Sequence, residues 1–362
     1  MHIAFLIRSL ATGGAERAAT ALASEMARTG NCVSILCLTG TDSFYPMESS
    51  VNVRYLNMDW IEQESGVKRI AALLRRARRV RKAVRETKPD ILVGMSWMMS
   101  VYAVFCTAGS ATVSIGTERS NPFVLNDSRT NAMLRRFAAR RCDGFICQTA
   151  RAKSYFPKSA QKKIAVIPNA IFNPEIKNLS VPKDREKQIT ALGRLDWNKG
   201  FDVLLRAFAL VHAELPRYTL CIFGDGELRN DLQALAETLQ VADSVRFPGT
   251  DPQAVRTIAA SSVFVLSSRS EGMPNALMEA MAAGVPCVST RCDMGPEELI
   301  TDGVNGLLVP TDDPHAMAQA ILRILKNPAL GAALSCGARS LRDTHALEQI
   351  TKQWLAYFNT LL

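Results

Sequence analysis

The 362-residue sequence is poor in the residues from which metal centres and disulfide frameworks are built. Its four histidines stand far apart, no cysteine pair has Cys-x-x-Cys spacing, and no Asp-x-Asp occurs, so neither a zinc site nor a divalent-cation motif is indicated. The nine cysteines are odd in number and lie mostly in apolar runs such as Ile35-Leu36-Cys37-Leu38. That usage fits free thiols in a reducing, cytoplasmic setting. A secretory leader is not expected either, because Arg8, Gly13 and Glu16 interrupt the apolar start. One long stretch lacks charge altogether: 27 residues from Ile91 to Thr117. Its glycines and hydroxyl residues fit turns better than lipid. We read strand Ile91–Met95, helix Trp97–Thr107 and strand Thr112–Ile115 there rather than a membrane span.

Charge is abundant but unevenly placed. Residues 1–180 hold 26 Lys/Arg against 13 Asp/Glu, whereas residues 181–362 hold 17 against 21. The whole excess behind the net charge of +9 therefore sits in the first half, which suggests an anionic partner there. Its densest part is a predicted helix from Gly66 to Lys88. There Lys68, Arg75, Arg76, Arg79 and Lys82 are accompanied by five more cations, and Glu86 is the only acid from Lys68 to Lys88. Ile70, Leu73, Ala77, Val80 and Val84 recur as one apolar stripe, leaving basic flanks over about 30 Å at 1.5 Å per residue. A solvated face, an anionic lipid or lipid pyrophosphate, and nucleic acid are the three readings; few aromatics are interleaved for stacking on bases.

Apolar runs alternate with helical stretches through both halves, the pattern of parallel α/β sheets. His2–Ile7 reads as a central strand feeding a turn with Gly13, Gly14 and Glu16, where open sheets bind ligands. This turn is not Gly-x-Gly-x-x-Gly, which disfavours a dinucleotide cofactor, and none is expected. Asn173 to Gln188 is rich in Pro and charge and reads as a linker. Beyond it, Arg194 and Lys199 stand five apart in Gly193-Arg194-Leu195-Asp196-Trp197-Asn198-Lys199-Gly200, on a strand-to-helix turn where two cations can clamp a diphosphate.

The most informative stretch runs from Ser270 to Gly284. A buried strand, Val263–Leu266, precedes a loop with Glu271, Gly272, Met273 and Pro274. Asn275 is the expected N-cap of a helix from Ala276 to Ala283. Glu271 and Glu279 flank the helix N-terminus, which offers unpaired N–H groups and a positive dipole end. Two carboxylates around a phosphate site suit a nucleotide diphosphate sugar, with Glu279 on the ribose and Glu271 on the sugar. A capped surface helix with two solvated glutamates is the competing reading.

Glu271 and Glu279, in the setting Glu-Gly-Met-Pro-Asn…Glu-Ala-Met-Ala-Ala-Gly-Val-Pro, resemble the signature of glycosyltransferase family 4. The Gly-Arg-Leu…Lys-Gly run at Arg194 and Lys199 is its second match. The resemblance implies an α/β fold of the GT-B type, two Rossmann-like domains facing a central cleft. It divides the chain into residues 1–175 (acceptor- or membrane-facing), 188–345 (nucleotide-sugar binding) and a C-terminal helix, 346–362, crossing back to the first domain. It implies a retaining, metal-independent hexosyltransferase, with Glu271, Arg194 and Lys199 catalytic. Gly14, Arg119, Gly272, Met273, Pro274, Asn275, Ala276 and Glu279 would bind substrate.

Arg119 stands where many relatives have a histidine, so any histidine role is put in doubt; an arginine can still bind phosphate or a sugar hydroxyl, or pair with Glu118 or Asp127. The Gly-Gly-Ala-Glu start, the basic helix and Glu118-Arg119-Ser120-Asn121 are similar to bacterial enzymes that extend polyprenyl-pyrophosphate-linked saccharides. That similarity implies a donor carried by UDP, with GDP-mannose as the alternative, and a lipid-linked acceptor. It implies peripheral association with the inner face of the plasma membrane through Lys68, Arg75, Arg76, Arg79 and Lys82. A nucleotide-sugar epimerase of the same fold and a non-transferring binding protein are the rival readings; nucleic acid is not an expected partner.

Overall fold

The computed structural model describes residues 1–11, 13–58, 66–123, 128–182, 184–251 and 253–362, with side chains of the second helix from residue 71 onward. The chain divides into two compact units, Met1–Phe172 with Leu347–Leu362, and Asn173–Ala346.

The first unit is built on a parallel sheet of seven strands: β1 His2–Ile7, β2 Cys32–Cys37, β3 Asn52–Tyr55, β4 Ile91–Gly94, β5 Val113–Glu118, β6 Gly144–Cys147 and β7 Ile164–Val166. Their order is β3-β2-β1-β4-β5-β6-β7, so the winding reverses between β1 and β4. Central strands are apolar on both faces because helices cover both. Ile3 and Phe5 pack with helices Gly14–Arg28 and Leu347–Asn359, while Ala4 and Leu6 pack with helices Gly66–Thr87 and Trp97–Thr107. The charge-free stretch thus resolves into buried strands and an 11-residue helix started by Ser96, whose side chain accepts from Met99 N at 3.3 Å. Among the described residues no helix is long and apolar enough to cross a membrane. β5 runs three residues past the expected end at Ile115, which places Arg119 directly at its carboxyl end.

Leu347–Asn359 belongs to this unit. Ile350, Trp354 and Phe358 are fully buried in its core, and the Tyr357 hydroxyl accepts from Phe145 N (2.9 Å) and donates to Lys163 O (2.6 Å).

Helix Gly66–Thr87 departs from the expected stripe. Leu73 and Leu74 are 40% and 55% exposed, and the buried line is Ala72, Arg76, Val80, Ala83 and Val84. The helix is rotated because small alanines let it approach closely and a long aliphatic arginine stem fills an apolar position as well as a leucine does. Arg76, at 7% exposure, is therefore withdrawn from the basic face to which it was assigned. Arg75 and Arg79 are exposed, Lys82 lies 3.9 Å from Glu86, and the side chain of Lys68 is outside the described residues.

The second unit has a parallel sheet of six strands: β8 Glu186–Leu192, β9 Thr219–Phe223, β10 Val245–Gly249, β11 Ser261–Leu266, β12 Cys287–Thr290 and β13 Leu307–Val309. The order β10-β9-β8-β11-β12-β13 reverses between β8 and β11. The segment read as a linker begins where the two units divide, at Asn173, and its residues pack with this unit. It forms a 3-10 turn, Pro174–Asn178, with Ile176 buried, and Glu175 pairs with Arg256 at 2.9 Å. Prolines there start a turn rather than merely disrupt one.

Candidate functional site

In open α/β sheets the crevice lies beyond the carboxyl ends of the strands at the reversal point. In the second unit, β8 and β11 flank that point, and the loops that leave them carry the residues singled out in the sequence.

After β8, Leu195 is fully buried and fixes the loop: its N–H donates to Asp225 O (2.9 Å) and its carbonyl accepts from Leu228 N (3.0 Å). The Asp196 carboxylate accepts from Lys199 N at 3.2 Å and caps the 3-10 turn Trp197–Lys199. It also receives Arg194 Nε at 2.7 Å, although the Arg194 side chain is 77% exposed. The turn closes at Gly200, whose φ of 62° is left-handed and where a Cβ would lie 2.2 Å from the Ser267 carbonyl. Glycine after lysine is thus a steric requirement.

After β11, Glu271 folds back onto the first loop. Its Oε1 receives Lys199 Nζ at 2.6 Å and Ser268 Oγ at 2.6 Å. The Glu271 side chain is 9% exposed and Glu279 is 4% exposed, so neither is a solvated acid on a helix face. Burial of a carboxylate is costly unless it is paired, and Glu271 is paired with the second residue of the cation motif. The helix itself is Asn275–Ala282 with Pro274 at the cap and no side-chain cap bond. Asn275 is therefore the first helical residue, not the cap: the extended backbone of Pro274 (φ −78°, ψ 100°) already ends the loop. The amino end is left without a side-chain cap, as an anion-binding end would be. Gly272 lies within this loop; Met273 and Pro274 are buried, and Asn275 and Ala276 half-buried.

The two loops are stitched together by residues that the sequence reading passed over. Arg269 N donates to Asn198 O (2.8 Å), Arg269 Nη1 to Trp197 O (2.6 Å), Asn198 Nδ2 to Ser270 O (2.6 Å) and Ser267 Oγ to Lys199 O (2.8 Å). Arg269 also grips Asp202 with both terminal nitrogens (3.0 and 2.8 Å) and Asp312 with Nε (2.7 Å), and lies 4.8 Å from the Trp197 ring centroid. The Asp202 bond raises the Arg269 pKa further, against burial; burial pulls the Asp202 carboxyl upward, and Arg269 overrides it so that the net shift is down. Ser-Arg-Ser-Glu-Gly shows an arginine beside Glu271, but its partner 67 residues away gives no local signal.

The first unit carries a second cluster at the carboxyl edge of its sheet. Gly14 opens the first helix and is exposed. Arg119 does not pair with Glu118: that buried carboxylate binds Arg135, which also lies 4.9 Å from the Trp97 ring centroid. Asp127 is outside the described residues. Arg119 instead donates from Nη2 to Asn169 Oδ1 at 2.6 Å. Burial brings its pKa down to about 10, partly offset by attraction to Glu16. Among the described residues, no group of three or more His, Cys, Asp or Glu side chains is disposed to hold a metal ion.

Both units resemble solved glycosyltransferases of the GT-B fold. HepE of Anabaena, solved with UDP, superposes with a TM-score of 0.81 at 18% identity, covering 99% of this chain and 100% of that one. Sucrose-phosphate synthase of Thermosynechococcus elongatus gives 0.83 at 20%, covering 100% and 99%. In sequence, residues 12–172 match the family model for Glycosyltransferase Family 4 and residues 186–327 that for glycosyl transferases group 1. The chain belongs to glycosyltransferase family 4. One relative, 28% identical over 98% of this chain and 97% of its own, is a Campylobacter jejuni alpha-1,4-N-acetyl-D-galactosaminyltransferase acting on GalNAc-alpha-(1->4)-GalNAc-alpha-(1->3)-diNAcBac-PP-undecaprenol. Another, 25% identical over 97% and 98%, is an uncharacterized glycosyltransferase of Haemophilus influenzae.

Proposed function

We propose that this protein is a retaining, metal-independent transferase. It moves a hexose or N-acetylhexosamine from a UDP-sugar to a polyprenyl-pyrophosphate-linked saccharide in cell-surface polysaccharide or glycan precursor synthesis. The observation that carries the reading is the Lys199–Glu271 pair, which joins the cation loop to the carboxylate loop beside an uncapped helix N-terminus. The named substrate of the Campylobacter relative supports the lipid-linked acceptor.

The donor's diphosphate sits on the Asn275 helix end, with Arg194 and Lys199 as its counter-charges. Their positive charge stabilises the departing diphosphate, a task a metal performs elsewhere. Glu271 orients the donor sugar and Glu279 holds the ribose. The leaving phosphate oxygen takes the acceptor's proton on the same face, so the anomeric configuration is kept and no separate base is needed. Gly14 lines the acceptor side. Arg75, Arg79 and Lys82 hold anionic headgroups or the lipid pyrophosphate, which keeps the enzyme at the inner membrane face.

The test is thermal protection by a panel of UDP-sugars and GDP-mannose, followed by transfer to undecaprenyl-pyrophosphate-linked saccharides. A donor at 100 times its Kd adds about 2.7 kcal/mol of stability. One UDP-sugar should protect, Arg194→Ala and Lys199→Ala should abolish that protection, and the product linkage should keep the donor's anomeric configuration. Turnover that requires an added divalent cation, or an inverted product, would overturn the mechanism.

A further inference from the structure

Trp197 is 66% exposed, although an indole is a large apolar surface that folding normally hides. The fold uses only its backbone. The Trp197 carbonyl accepts from Gly200 N at 3.3 Å, which closes the 3-10 turn, and from Arg269 Nη1 at 2.6 Å. Any residue would serve there, so the ring is surplus to the turn. Its indole nitrogen has no hydrogen-bond partner among the described residues. The Arg269 guanidinium backs the ring, 4.8 Å from its centroid, and cannot swing away: Asp202 holds both terminal nitrogens and Asp312 holds Nε.

A flat ring fixed from behind and open in front is a stacking platform, and its neighbours decide what can lie on it. Asp202 and Asp312, on the same guanidinium, leave 42% and 56% of their side chains exposed. Their carboxylates accept hydrogen bonds and repel anions. One cation against two acids leaves the cluster net negative, so Arg269 does not reverse that repulsion. A nucleobase stacks well on an aromatic ring but brings phosphate with it, and an anionic lipid is repelled in the same way. A neutral pyranose meets every condition. Its positively polarised C–H hydrogens suit the negative face of the indole, and its hydroxyls donate to the two carboxylates.

We infer that Trp197, with Asp202 and Asp312, forms a saccharide-stacking site that the second unit carries by itself. It takes an uncharged sugar ring of a glycan and is separate from the site for the donor's diphosphate, whose charge these carboxylates reject. The inference rests on the proposed function only for the source of the glycan, a lipid-linked saccharide or a released one. The binding itself needs no transfer.

The experiment labels the full chain with fluorotryptophan and follows its fluorine spectrum during titration with a glucose tetrasaccharide and an N-acetylglucosamine tetrasaccharide. The Trp197 line is assigned from its loss in Trp197→Phe. At least one glycan should move that line and leave those of Trp97 and Trp354 in place, with an affinity that saturating UDP changes by no more than about twofold. Read from the glycan's own proton signals, binding should weaken about tenfold in Trp197→Ala. Trp197→Phe keeps a ring on the same turn and should fall between, so a misfolded alanine variant does not decide the matter. A Trp197 line that no glycan moves, or glycan binding indifferent to both substitutions, would overturn the inference. So would a line that shifts with protein concentration alone, which would make the ring a contact between copies. An undecaprenyl-pyrophosphate-linked saccharide and the same saccharide released from its lipid should bind alike; binding confined to the lipid-linked form would place the affinity in the lipid or pyrophosphate and overturn the inference. Glycan binding at Trp197 by a chain that transfers no sugar would sustain it while removing the transferase reading.

Discussion

At Gly200 a single missing side chain decides whether two loops can meet. Its left-handed φ and the Ser267 carbonyl at 2.2 Å from a built Cβ leave no room for any other residue. Gly200→Ala should cost about 1–2 kcal/mol from the backbone conformation alone, plus whatever the loop must yield. Donor protection should weaken beyond the stability loss, because the Lys199–Glu271 contact shifts with the turn; protection equal to the parent's would show that the turn does not set the site. Glu16 gives a second test at this scale. A carboxyl whose folded pKa is raised destabilises the fold progressively as pH rises above its ordinary value of 4.5, and not below it. Glu16→Gln should therefore raise Tm at neutral pH, by on the order of 1 °C or more, with the difference closing in acid. Equal Tm values at neutral pH would mean the carboxylate is adequately solvated. The motif residues were legible because Glu271, Arg194 and Lys199 are chemistry-bearing types at fixed spacing next to strand ends. Glu16 was visible in the same way, as part of Gly-Gly-Ala-Glu, but its cost is set by burial in the fold, and Arg119, which partly offsets it, is 103 positions away in sequence, so that cost was not.

Among elements, the pattern that sets a strand or helix was readable and the phase of a helix was not. Continuous apolar runs gave the strands of both sheets to within a few residues. Helix Gly66–Thr87 shows the limit, since Leu73 and Arg76 exchanged the faces expected of them. Hydropathy treats arginine as polar, whereas packing uses its three methylenes. The exposed cations that remain, Arg75 and Arg79 with Lys82, give a prediction that excludes Arg76. Changing these three to Glu should abolish binding to vesicles containing anionic lipid and leave Tm close to the parent's. Binding by the parent should fall as salt rises, because the Debye length shrinks from about 10 Å at 0.1 M to 3 Å at 1 M. Vesicle binding that is indifferent to both changes would remove this helix from the membrane contact. The stitch between the loops after β8 and β11 was illegible for a different reason: Arg269, Asp202 and Asp312 are distant in sequence and common in type, and only the fold brings them together.

For the molecule as a whole, sequence order and structural membership part at the C-terminus. Leu347–Leu362 is the last segment of the chain, yet it completes the core of the first unit, not of the unit that precedes it. Ile350, Trp354 and Phe358 are each at most 1% exposed, and the Tyr357 hydroxyl ties the ends of β6 and β7. Full burial of such side chains is worth about 1.5–3 kcal/mol each, so the three together approach the 5–15 kcal/mol that holds a typical domain. A chain ending at Ala346 should consequently unfold the first unit selectively. Amide exchange would show protection lost across β1–β7 and retained across β8–β13, whose core contains no residue after Ala346. Trp354→Ala in the full chain is the milder form, with an expected cost of about 3–5 kcal/mol confined to the same strands. If the shortened chain kept protection in β1–β7, the burial of these side chains would have to be compensated within the first 172 residues. The sequence contains the amphipathic pattern of this helix but nothing in its immediate neighbours marks the sheet it covers, because that sheet is complete some 180 residues earlier.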